Sequence, residues 1–137
     1  MSSPFLDRLA RGPLLADGAM GTVLYQRGVG FEHSFDALNL DKAAIVESVH
    51  REYLAAGAEL IETNTFGANA VRLAPHELDG EVRRIARQGV RIARTAREIV
   101  GVPAFVAGAI GPLGKPLAPF GHIAADEAER HFRVTAE

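Results

Sequence analysis

The sequence predicts an α/β fold, and more narrowly the N-terminal portion, about three βα units, of a (β/α)8 TIM barrel. Three observations carry that expectation. Short apolar runs alternate with amphipathic helical patterns. The runs recur at nearly constant spacing, with Leu15, Ile61 and Val106 lying 46 and 45 residues apart. Each run stops on Gly, Asn or Asp, as a buried parallel strand does where it enters a loop. A unit of about 45 residues repeated eight times comes to roughly 360, within the range of barrels with insertions. An open doubly wound sheet also fits the alternation, but three open strands would leave both sheet edges unpaired.

The elements follow in order. MSSPFLDRLARG reads as a short helix, with Ser3 as cap and Pro4 in the first turn. PLLAD (13–17) is the first strand and leads through GAMGT into a short helix. The stretch from Gly28 to Leu40 is irregular and belongs to an elaborated first loop. From Asp41 to Ala56, Ala44, Ile45, Val49, Tyr53 and Ala56 recur at helical steps, with Asp41 as N-cap and Gly57 as C′ residue. ELIET (59–63) is the second strand and runs into NTFGAN. A long helix over Leu78–Val100 turns Val82, Ile85, Ala86, Gly89, Val90, Ala93, Ala96, Ile99 and Val100 inward. Its arginines, from Arg83 to Arg97, form a solvated outer face. PAFVAGAI (103–110) is the third strand and enters GPLGKP, and a third main helix begins near Ala124. No linker divides the chain, so residues 1–137 read as one incomplete domain, expected to fold poorly in isolation.

Composition narrows the function. Lys+Arg 15 against Asp+Glu 17 gives a net charge of -2, which argues against a nucleic-acid surface. No apolar run reaches the 18 or so residues of a membrane span, and the N-terminus lacks the pattern of a signal peptide. The chain has no cysteine, so a disulfide framework is excluded and secretion is unsupported. A cytoplasmic protein is the expectation. His33, His50, His76, His122 and His131 show no ligand-type spacing, and His50 reads as a structural residue within a helix.

In a barrel the chemistry sits at the C-terminal strand ends. Asp17 there suits a cationic group such as an ammonium, and the amides of Gly18 to Gly21 suit a carboxylate. Together they describe a shelf for the head of an amino acid. Plainer readings stand beside this one. Asp-Gly after a strand is also an ordinary turn, Asn64 and Asn69 also suit loop capping, and Phe66 suits a core or a pocket wall.

DGAMGT, then NLDKAAIVESVHREYLAAGAELIETNTFGAN, then GAIGPLGKPLAP, in order and in register, resemble the opening of the homocysteine-binding domain of homocysteine S-methyltransferases. The LDRL opening and GPLGKPLAP look most like the group fused to a methylenetetrahydrofolate reductase. The resemblance implies methyl transfer to the zinc-activated thiolate of homocysteine, giving methionine. Asp17 would bind the substrate amino group and the Gly18, Ala19 and Met20 backbone its carboxylate. Asn64, Thr65 and Phe66 would line the pocket beside the metal.

One departure is severe. The family's zinc ligands are cysteines on later strands, and none occurs here, so no residue is assigned to metal or to catalysis. The resemblance implies zinc in the complete protein, homocysteine and a methyl donor as partners, and a folate-linked donor by analogy with the reductase-fused group. The fragment alone is expected to be inactive. Two alternatives stay open: a truncated, non-catalytic amino-acid-binding module, and an unrelated barrel enzyme using Asp17 as acid/base.

Overall fold

A computed structural model describes residues 3–137, so Met1 and Ser2 of the N-terminal reading lie outside it. The architecture is α/β, built on a small parallel sheet. Strand β1 (Leu60–Glu62) pairs in parallel with β2 (Phe105–Ala107), in the register Leu60 to Phe105, Ile61 to Val106 and Glu62 to Ala107. The first apolar run joins the other edge of β1 through one bridge, Ala16 to Leu60, also parallel. Asp17 N–H donates to the Leu60 carbonyl at 2.9 Å, and Glu59 N–H to that of Leu15 at 2.8 Å. PLLAD was expected as a full strand, and the structure reduces it to that bridge. Pro13 has no N–H to donate at its start, and Gly18 follows at once. All three runs nonetheless point the same way, so their C-terminal ends share one side.

Helices frame that side. α1 (Pro4–Leu9) lies near the strand starts, where Phe5 meets Phe105 edge-on at 5.4 Å and Arg8 grips Glu59 at 2.7 and 2.8 Å. Pro4 is in its first turn as expected, but the Ser3 side chain makes no capping bond. α2 (Gly21–Gln26) follows the first strand end, and the loop after it closes with α3 (Leu38–Asp41). α4 (Ala43–Ala55) packs most closely on α6 (Val82–Val100). α5 (Ala70–Leu73) follows β1, and α7 (Ala125–Ala136) ends the chain.

The two long helices are where the sequence predicts them, except that α6 starts at Val82, after a 3-10 turn over Asp79–Glu81, and not at Leu78, with further corrections of face and cap. On α4 the buried residues are Val46, Val49, His50 and Leu54, whereas Ala44 and Ala56 are exposed. Asp41 is not its cap, because it closes α3, but Gly57 takes the expected positive φ of 105° after the helix. On α6, Ile92 is buried and Ile99 is 52% exposed, reversing the expectation for Ile99. Leu54, Ile61, Ala93, Ala96 and Ala104 form the core that clamps α4 and α6 to the sheet.

Candidate functional site

The strand ends open into a cleft of about 710 Å³, within the range of small-molecule sites. Asp17 stands at its wall. Its Oδ2 accepts the backbone N–H of Glu62 at 3.0 Å, across from one strand end to the next. Burial pushes the Asp17 carboxyl above the ordinary aspartate range, the N–H of Glu62 works against that, and the Glu62 carboxylate adds to the rise. Both acids line the cleft, which makes this end of it a place for a cation.

The loop beyond Asp17 is held from below. Tyr53 on α4 donates its hydroxyl to the Ala19 carbonyl at 2.8 Å. Gly18 makes this approach possible, since a Cβ there would sit 3.0 Å from the Tyr53 hydroxyl. Among the described residues, the N–H groups of Gly18, Ala19 and Met20 donate no hydrogen bond within the chain. Gly18, Ala19 and Met20 line the same cleft as Asp17.

The opposite wall comes from the loop after β1. Asn64 is buried, and its amide donates to the Phe35 carbonyl at 2.8 Å and to Asn39 Oδ1 at 3.0 Å. Asn39 in turn donates to the Asn64 carbonyl at 2.7 Å. Asn64 thus ties two loops together while still lining the cleft. Phe66 is 56% exposed and forms wall, as a pocket aromatic does. Thr65 is the exception. Its side chain is buried and its hydroxyl donates to the Ala109 carbonyl at 2.7 Å, so it stands behind the wall and does not line the cleft. Thr63 completes that ring, accepting from Ala109 N–H at 3.1 Å and sharing a 2.7 Å bond with Thr65. Asn69 takes the plain capping role, accepting from Arg72 N–H at 3.0 Å at the start of α5.

Among the cleft residues that escaped the sequence reading are Glu62, Asp36 and Arg72. Glu62 carries a readable signal, as an acid inside an otherwise buried apolar strand. Asp36 carries none, because its partner Gly67 lies 31 residues away and donates its N–H to Asp36 Oδ1 at 2.9 Å. Arg72 carries none either, because it falls between NTFGAN and the long helix and reaches the cleft only as α5 folds beside it.

A family model described as homocysteine S-methyltransferase matches residues 14–137. The chain belongs to the homocysteine S-methyltransferase family. It is 35% identical to proteins named methionine synthase from Mycobacterium tuberculosis (strain ATCC 25618 / H37Rv) and Mycobacterium leprae (strain TN), covering 85% of this chain and 10% of each relative. It superposes on the homocysteine methyltransferase MmuM from Escherichia coli in its metallated form with a TM-score of 0.80 and 26% identity, over 98% of this chain and 52% of that one. The oxidised form of the same enzyme gives 0.72 and 30% over 82% and 42%. This chain of the homocysteine S-methyltransferase family therefore spans about half the length of the solved relative and a tenth of the methionine synthases. A protein-held zinc does not fit its own residues: the chain has no cysteine, and among the described residues no three His, Asp or Glu side chains gather to hold a metal ion.

Proposed function

We propose that this chain supplies the substrate shelf of a homocysteine S-methyltransferase, which moves a methyl group from a donor to the sulfur of homocysteine and yields methionine. The observation that carries the reading is the pairing at the strand ends. A half-buried carboxylate, Asp17, is anchored through one oxygen, and the three residues that follow it in the same cleft have N–H groups without a partner among the described residues. Homocysteine's ammonium lies against Asp17, and its carboxylate against the amides of Gly18, Ala19 and Met20. Both ends are fixed, so the thiol-bearing arm is directed along the wall of Asn64 and Phe66. Thr65 serves this wall indirectly by holding its loop to Ala109.

The surrounding domain is read as a (β/α)8 barrel of which residues 1–137 form the N-terminal part. The similarity to half of the MmuM chain supports that reading, as does the exposure of Leu15 (57%) and Ile110 (49%) beside the sheet. Zinc in the complete protein would be held by cysteines outside this chain, and no step proposed here runs through it. This fragment alone is read as inactive. A folate-linked donor, a reductase domain joined to the complete protein and a cytoplasmic location extend the same reading. No helix among the described residues is long and apolar enough to cross a membrane.

Asp17→Asn in the intact protein tests the assignment. The shelf role predicts a raised KM for homocysteine with kcat retained, whereas a loss of kcat with KM intact would identify Asp17 as an acid/base group instead.

A further inference from the structure

The cleft has a second charged end that homocysteine does not use. Arg72, on α5, lies across the loops that follow β1 and β2. Its Nε is 3.4 Å from where a Cβ on Gly67 would sit, and its Cγ is 3.4 Å from the same position on Gly114. Two glycines therefore leave the bed in which this side chain rests. Its backbone is fixed as well, by the bond from Arg72 N–H to Asn69.

The guanidinium itself is uncommitted. Among the described residues it makes no side-chain hydrogen bond, and no carboxylate lies within 4.0 Å of it. The Asp36 carboxylate is close enough for the two charges to interact; its Oδ1 accepts the Gly67 N–H, while its Oδ2 makes no hydrogen bond among the described residues and lies beside the same glycine as Arg72 Nε. Arginine presents a planar fork of donors that matches a carboxylate or a phosphate and that no neutral group satisfies as well. His76 lines the same cleft. At about 710 Å³ the cleft has room for a ligand larger than an amino acid.

We infer that Arg72 is the anchor of a second subsite, which binds an oxyanion carried by the methyl donor. The inference rests on the homocysteine reading of the Asp17 end, and it names the chemistry of the other reactant: a donor bearing a carboxylate or a phosphate.

Calorimetric titration of the intact protein, saturated with L-homocysteine, tests this with three probes. 5-Methyltetrahydrofolate and betaine carry carboxylates, and methylcobalamin carries a phosphate, so the probe that binds identifies the source of the oxyanion. Arg72→Gln is expected to weaken that probe by roughly ten- to hundredfold, the scale of a lost charge-assisted hydrogen bond, and to leave homocysteine affinity unchanged. Arg72→Lys is expected to recover part of the loss and guards against a folding defect. Failure of all three probes to bind the wild type, equal binding by Arg72→Gln, or a loss confined to homocysteine would each overturn the subsite. Homocysteine binding by the wild type and by Asp17→Asn, measured alongside, separates the two ideas. If that binding depends on Asp17 while Arg72 is inert, the subsite fails and the shelf stands. If the wild type binds no homocysteine, the shelf itself fails.

Discussion

The Glu62 backbone N–H donates to Asp17 Oδ2 at 3.0 Å, joining two neighbouring strand ends through a carboxylate that burial disfavours in its charged form. The arrangement is costly for folding and useful for binding. A desolvated carboxylate beside a second acid is relieved when a cation arrives.

That cost has a sign. The Asp17 carboxyl is raised from its ordinary value of 3.8, so the folded protein holds the proton more tightly than the unfolded one. Its ionisation therefore removes stability as pH rises from that value through the raised one. Asp17→Asn is expected to raise the melting temperature of the ligand-free intact protein at neutral pH, with the gain vanishing below about pH 3.8. Thermal melts across pH check this, and a lower melting temperature at neutral pH would contradict it.

His50 works in the opposite direction. It is fully buried on α4, neither ring nitrogen has a hydrogen-bond partner among the described residues, and burial lowers its pKa from 6.5 to about 4. The folded state resists protonation that the unfolded state accepts, so stability falls as pH drops from 6.5 towards 4. A gap of this size is worth about 3 kcal/mol at full effect. His50→Leu is expected to flatten that acid limb in denaturant titrations at pH 7 and pH 4.5, and an unchanged limb would locate the acid sensitivity elsewhere.

Gly89 sets helix propensity against packing. Alanine in place of an interior helical glycine ordinarily gains about 1 kcal/mol. Here a Cβ would lie 2.6 Å from the Thr65 methyl and 2.8 Å from Asn39 Nδ2. Both neighbours are buried and hydrogen-bonded, so neither yields cheaply. Gly89→Ala is expected to destabilise by about 1–3 kcal/mol. Urea unfolding measures it, and net stabilisation would mean that the wall behind the cleft is softer than its hydrogen bonds imply.

The strand positions were legible because apolar runs bounded by Gly, Asn and Asp leave a strong local signal. The helix faces were less so. Alanine fits inside and outside alike, so Ala44 and Ala56 misled the reading of α4, while Val46 and Leu54 carried its buried face. That Asp17 and the residues after it share one cleft was legible because a motif of six residues holds them. The far side of the cleft was not. Asp36 and Arg72 reach it through contacts spanning dozens of residues, and Thr65 spends its hydroxyl on Ala109, 44 residues away. Such roles depend on which loops the fold brings together, and no local pattern encodes them.

The most direct measurement compares L-homocysteine with its deaminated analogue, 4-mercaptobutyrate, by calorimetric binding to the intact wild-type protein and to Asp17→Asn. The ammonium-to-Asp17 contact predicts that the wild type prefers homocysteine by roughly tenfold or more, the scale of a charged hydrogen bond, and that Asp17→Asn erases the preference. Equal affinity of the wild type for both compounds, or a preference that survives in Asp17→Asn, would contradict the account.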